Sequence, residues 1–140
     1  MKLYYSPGAC SLAPHIALCE AGAEFELVRV DLRSKEIKGD AGGDFRKVNA
    51  VGKVPALDIG EPEVLTENVA ILSYIADKFP AAWSAPTDGN ARYRLLRWLG
   101  FVTSELHKSF VPVFHAAAYG ESGKAAAIQN LGTQFAFLES

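Results

Sequence analysis

A chain of 140 residues has room for one ordinary domain or two small ones. Its hydrophobic content of 49% is that of a globular protein, and a formal net charge of −2 leaves no basic footprint for nucleic acid or an anionic membrane surface. No apolar run approaches the ~18 residues of a spanning helix, the opening Met1 to Pro7 is too short and aromatic for a signal-peptide core, and Cys10 and Cys19 form no C-x-x-C pair, so a reduced, cytoplasmic protein without a metal site is the simplest expectation.

Lys2 to Tyr5 is apolar and aromatic, is stopped by Pro7-Gly8, and reads as a first strand. Leu12 to Ala21 reads as a helix, with Ser11 as N-cap, Pro14 in the first turn and Gly22 at C′. Cys10 stands just ahead of that helix, where unpaired amides and the positive dipole end favour thiolate and should lower its pKa. It reads equally well as a small buried residue at a tight junction. Cys19, among Ile16, Ala17 and Leu18, reads as packing. Glu26 to Leu32 reads as a second strand, carrying Leu27, Val28 and Val30. Ser34 to Val48 is polar, contains Gly39, Gly42 and Gly43, and predicts a poorly formed helix.

In Gly52-Lys53-Val54-Pro55-Ala56-Leu57 a proline heads a strand-like run. Proline cannot donate to a sheet ladder, so Val54 is left free to pair with something extended, and a cis Val54-Pro55 bond is expected. Val54 to Ile59 and Glu63 to Leu65 predict a hairpin through Gly60-Glu61-Pro62. Thr66 then reads as the N-cap of a helix over Asn68 to Phe79, with Ile71, Leu72, Ile75 and Phe79 on one stripe. The amides of Glu67 and Asn68 would be free to hold a carboxylate, or would belong to an ordinary solvated first turn. The predicted order is β-α-β-α-β-β-α, an α/β domain over residues 1–80 followed by a linker over 81–90 and a helical segment over 91–140.

Within 91–140 a helix is expected from Ala91 to Ala118, bent near Pro112, with Leu95, Trp98, Leu99, Val102, Leu106 and Phe110 as its stripe. Gly100, Thr103, Ser104 and His107 fall on roughly the opposite side. Glu105, beside Trp98, reads as an interface or site residue or as a charge snorkelling to solvent. A last helix is expected from Lys124, carrying Ile128, Leu131, Phe135, Phe137 and Leu138. Each such side chain gains roughly 1.5–3 kcal/mol from burial, so the set needs a cover. It either folds back onto Trp98, Val102 and Phe110 or leaves a poorly stable surface.

Four stretches, taken together and in order, carry a resemblance over nearly the whole chain: Tyr4-Tyr5-Ser6-Pro7-Gly8-Ala9-Cys10-Ser11, Asn49 with Gly52-Lys53-Val54-Pro55, Leu65-Thr66-Glu67-Asn68-Val69-Ala70-Ile71, and Ser104-Glu105-Leu106-His107-Lys108-Ser109-Phe110. They resemble the glutathione transferases, and most closely the bacterial Beta class that uses cysteine. The resemblance implies a thioredoxin-like N-terminal domain and a partial all-α domain. It implies glutathione as co-substrate and a homodimer with its site at the domain interface. The reaction it implies is attack of the glutathione thiolate on an electrophilic carbon or a disulfide.

By the same resemblance, Cys10 lies beside the bound thiol and His107 approaches from the helical domain, both as catalytic groups. Val54 and Pro55 supply the backbone edge for the peptide. Glu67 and Asn68 hold the γ-glutamyl end, and Ser104 and Glu105 join the glutathione-binding set. Lys35 is placed near the glycine carboxylate, although by its own surroundings it reads as a solvated lysine. Gly100 stands where the family often has asparagine, and Asn68 where serine or glycine is more usual. Two other readings stay open: a thiol–disulfide oxidoreductase working through a glutathione mixed disulfide, and a glutathione- or hydrophobe-binding module without turnover.

Overall fold

A computed structural model describes residues 1–39, 42–83 and 85–140. The chain divides into two units, Met1–Arg92 and Tyr93–Ser140.

The first unit is built on β1 (Lys2–Tyr5), β2 (Glu26–Asp31), β3 (Glu36–Ile37), β4 (Ala56–Asp58) and β5 (Leu65–Thr66), in the spatial order β3-β2-β1-β4-β5. β1 runs parallel to β2, with Leu3 opposite Leu27, and antiparallel to β4, with Leu3 opposite Leu57. Side chains alternate across the sheet. Leu3 and Leu57 face α1 (Leu12–Glu20) and α2 (Asn68–Lys78) and are buried with Ala17, Leu18, Ile71 and Ile75. Tyr4 and Ala56, one residue out of phase, face the other side. There they join Val28, Val30, Ile37 and Val54 around Phe45, which is fully buried in a 3-10 turn over Phe45–Lys47. This mixed sheet with its helices is the expected thioredoxin-like fold.

α1 stops as expected. Gly22 takes φ 60, its N–H donates to the Cys19 carbonyl, and Ala23 N–H donates to Leu18, which is a Schellman closure. Pro14, Ala17 and Leu18 form the buried edge of α1. Cys19, one position on, points outward and is exposed, so the expectation that it packs is corrected.

The helix expected over Ser34 to Val48 is absent from the described residues; positions 40 and 41 lie outside them. In its place are β3 and the 3-10 turn, so the predicted second helix drops out of the element order. Lys35 adopts φ 64, which ends any helical run, while Ile37 pairs with Val30 and is buried. Extended pairing covers that isoleucine, which a Gly-rich helix would have left wet. The expected linker is partly structured, since α3 spans Pro80–Trp83; position 84 lies outside the described residues. Arg92 closes this end of the unit, donating to the Asp77 carboxylate at 3.1 Å and the Pro86 carbonyl at 3.4 Å.

The unit boundary falls within α4 (Gly89–Phe101). A π-helical turn over Val102–His107 follows, then α5 (Val111–Phe114) and α6 (Ala116–Glu139). The single helix expected from Ala91 to Ala118 is thus three pieces. Its break does lie near Pro112, which occupies the first turn of α5, where a missing N–H is harmless. α6 is interrupted at Gly120, with φ 71 and ψ 168, between the two expected helices. The apolar stripe is also revised. Trp98 and Val102 remain 39% and 43% exposed. Phe101, outside that stripe, packs on Phe137 with ring centroids 5.1 Å apart. Phe137 also meets Trp98, and Phe135 meets Phe110. The last helix therefore folds back within its unit, yet only Ala127 and Leu131 are buried along α6. No helix among the described residues is long and apolar enough to cross a membrane.

Candidate functional site

Three chain segments meet at Cys10. The first is its own loop between β1 and α1. Ser11, 1% exposed, donates its hydroxyl to the Ser6 carbonyl and accepts from the Ser6 N–H, both at 3.2 Å. It therefore staples the loop and does not cap α1 as expected. Its backbone is already helical, at φ −64 and ψ −10, and its hydroxyl is turned away from the opening amides.

The second segment presents Val54. Asn49 donates from Nδ2 to the Lys53 carbonyl at 2.8 Å and accepts from the Val51 N–H at 3.1 Å, while Gly52 takes φ 65. This clamped loop delivers Val54-Pro55 as the expected cis bond, directly ahead of β4. The Cys10 thiol donates to the Val54 carbonyl at 3.3 Å. Among the described residues the Val54 N–H has no acceptor. Lys35 is no free surface lysine, contrary to its own reading: its ammonium donates to the Gly52 carbonyl at 2.9 Å.

The third segment is the junction of β5 and α2. Thr66 stays in the ladder opposite Ala56, so it cannot be the N-cap that was expected. Glu67 takes that place, with φ 65 and ψ 129 and no side-chain capping bond. This is left-handed territory that a residue with a Cβ enters only at a cost. The first amides of α2 have no intrahelical acceptor. Asn68 turns its side chain inward, and its Nδ2 donates to the Cys10 carbonyl at 3.1 Å. Its Oδ1 is buried with no partner among the described residues.

Electrostatics overturn one expectation. The Cys10 pKa is raised, not lowered. Burial is the leading cause and the Glu67 carboxylate adds to it, outweighing the lowering by a backbone amide and by Lys53. The helix start offers less than supposed, because the thiol lies under the Val54 carbonyl and a carbonyl acceptor favours the protonated form.

Cys10, Val54, Pro55 and Asn68 are thus brought together, with the Glu67 charge felt at Cys10 and Lys35 tied to the same loop as Val54. Ser104, Glu105 and His107 belong to the second unit, on its π turn, and all three are exposed. Ser104 donates to the Glu105 carboxylate at 2.9 Å, and Ser109 donates to the Glu105 carbonyl. Sequence reasoning missed the stapling by Ser11 and the clamp by Asn49. The Asn-x-x-Gly spacing before Val54-Pro55 was the available sign of the second. No cluster among the described residues could hold a metal ion. A cavity of about 530 Å³ lined by Tyr4, Asn49, Asp58, Glu61 and Thr66 includes neither Cys10 nor Asn68.

The chain is similar to a family of known proteins. The family model for the glutathione S-transferase N-terminal domain matches residues 1–77. The glutathione S-transferase GstA of Escherichia coli O157:H7 is 48% identical over 115 residues, which cover 81% of this chain and 56% of that protein. A sphingomonad glutathione S-transferase, solved in complex with glutathione, is 55% identical with a TM-score of 0.91, over 99% of this chain and 68% of its own. The bacterial beta class enzyme of Sphingomonas chungbukensis is 51% identical with a TM-score of 0.90, over the same shares. The chain spans little more than half the length of the E. coli relative, 56%. On its sheet order, its Cys10 loop and these matches, the chain belongs to the glutathione S-transferase family.

Proposed function

We propose that this chain binds glutathione and conjugates its thiolate to small electrophiles, acting as a cytoplasmic homodimer. In this reading residues 1–80 form the glutathione-binding domain, 81–90 the linker, and 91–140 the part of the helical domain that supplies Ser104, Glu105 and His107. The observation that carries it is the Val54 edge: a free N–H and a carbonyl lying against the Cys10 thiol. An extended tripeptide adds to such an edge as a strand. The opening amides of α2 and the Glu67 carboxylate suit the γ-glutamyl end, whose carboxylate and amine they match in charge. The Lys35 ammonium, held by Gly52, suits the glycine carboxylate. The glutathione held by the sphingomonad relative supports the same assignment.

In conjugation the glutathione sulfur, as thiolate, forms a C–S bond, and the electron pair of the broken bond leaves with the departing group. A Cys10 whose pKa is raised remains protonated near neutrality, which suits an S–H donor that turns from the Val54 carbonyl to steady the attacking thiolate. Thiol–disulfide exchange is the second reading. There Cys10 thiolate attacks the glutathione sulfur of a mixed disulfide and releases the substrate thiolate, and a second glutathione thiolate resolves the Cys10–glutathione disulfide, leaving as oxidised glutathione and restoring the Cys10 thiolate. The partial exposure of Cys10 favours it. Its raised pKa weighs against it.

Cys10→Ala decides between them. Conjugation of a chloro-nitro-aromatic should survive within roughly tenfold, while glutathione-dependent disulfide reduction should vanish. Complete loss of conjugation in a folded variant would refute the donor role. Failure of the parent chain to bind glutathione by calorimetry would refute the function. Binding with neither activity would leave a binding module.

A further inference from the structure

We infer that Asn68 is a positioning residue for Cys10: its side-chain amide fixes the Cys10 backbone so that the thiol rests on the Val54 carbonyl, and it is not a side-chain ligand for glutathione. The inference rests on the function proposed above only in taking Cys10 as a group of the working site.

Cys10 is held at two atoms by two distant parts of the chain. Its carbonyl accepts from Asn68 Nδ2 at 3.1 Å, and its sulfur donates to Val54 at 3.3 Å. The remaining bond to that carbonyl, from the Ala13 N–H, is stretched to 3.4 Å. Asn68 is thus the shorter of the two contacts that locate the Cys10 peptide. The orientation of the amide is fixed. Turned over, it would set Oδ1 against the Cys10 carbonyl, acceptor to acceptor. As it stands, Oδ1 is buried and unpartnered, so no atom of Asn68 that could accept from a ligand faces solvent. One of the two N–H donors of Nδ2 is committed to Cys10. A ligand carboxylate near α2 would then meet backbone amides, and the amine beside it Glu67, while the Asn68 side chain serves the thiol from behind.

The test reads the Cys10 S–H group directly. In a Cys19→Ser background, which removes the exposed second thiol, the Raman S–H stretch reports whether Cys10 donates to an acceptor. Asn68→Ala and the near-isosteric Asn68→Asp both remove the amide donor, and circular dichroism checks folding. The S–H band should sit at lower frequency in the Asn68 parent and shift towards the free-thiol position in both variants. The dissociation constant for S-methylglutathione, which carries no thiol, should stay within about twofold in Asn68→Ala. An unmoved S–H band in both folded variants would overturn the inference. So would a fall of tenfold or more in S-methylglutathione affinity in folded Asn68→Ala, whether or not the band moves, which would make Asn68 a ligand. If the Asn68 parent binds no S-methylglutathione, the proposed function fails, and the S–H band still decides the role of Asn68.

Discussion

Glu67 pairs backbone strain with a charge, and the two can be separated by substitution. At φ 65 and ψ 129 it occupies a conformation open to glycine and costly for a side chain, by about 1–3 kcal/mol. Glu67→Gly relieves that cost but adds roughly 0.5–1 kcal/mol of unfolded-state freedom. Glu67→Ala keeps the strain. Glu67→Gly should therefore be the more stable of the two by about 1 kcal/mol. Both lose the same carboxylate, whose proposed charged hydrogen bond to the γ-glutamyl amine would be worth about 1.5–3 kcal/mol, a roughly 10- to 150-fold rise in the glutathione dissociation constant. Urea unfolding of Glu67→Gly and Glu67→Ala gives the first difference, and titration calorimetry with S-methylglutathione the second. Equal stability of the pair would refute the strain. Unchanged affinity in both, with folding intact, would refute the role of the carboxylate.

Gly52→Ala should destabilise the fold by about 1 kcal/mol, since Gly52 takes φ +65 and its new Cβ would sit 3.3 Å from Lys35 Cδ. The displaced lysine should also weaken glutathione binding, read by calorimetry; a variant as stable and as tight as the parent would contradict both. Phe45→Ala empties the centre of one face of the sheet, where Phe45 is 0% exposed, and should cost about 3–5 kcal/mol in urea unfolding. Cys10 should alkylate with a midpoint above its free value of ~8.5. Because folding raises this pKa, the stability Cys10 contributes is fully present below the unfolded pKa and is lost as pH rises through the folded one. Unfolding midpoints that fall over that alkaline window in the parent, and fall less in Cys10→Ala, would bear this out; parallel profiles would not.

β1, β2, β4 and both long helices of the first unit were legible in sequence because each follows a simple period, whereas β3 lay inside an expected helix. Leu3 and Tyr4, or Ala56 and Leu57, alternate as a strand must. Around Cys10 the sequence said where things meet but not how. Ser11 and Thr66 are both good capping types, yet Ser11 turns back to Ser6 and Thr66 stays in the ladder. Capping preference is a local bias of about 1 kcal/mol, and a buried loop bond or a sheet pairing can exceed it. The Cys10 pKa was misjudged for the same reason. The dipole of α1 is readable from the chain, whereas burial is a property of the folded chain and the carbonyl above the sulfur belongs to Val54, 44 residues away. Lys35 looked solvated because its partner, the Gly52 carbonyl, is 17 residues distant.

The π turn of Val102–His107 bears on how this protein tolerates changes in length. A π turn closes its bonds at i→i+5, one residue beyond the α pattern, so all that follows lags by about one residue of rotation, roughly 100°. In an unbroken α-helix Phe101 and Phe110 would lie on opposite sides. The lag brings both round to α6, where they meet Phe137 and Phe135. Deleting one residue between Val102 and His107 would let the segment relax to a regular α-helix and leave Phe110 on Phe135, because eight residues at about 100° turn as far as nine across the π turn. A deletion before Phe110 that kept the π turn would instead swing Phe110 away by roughly 100°. The aromatic seam of this unit is set by a residue count as much as by residue identity.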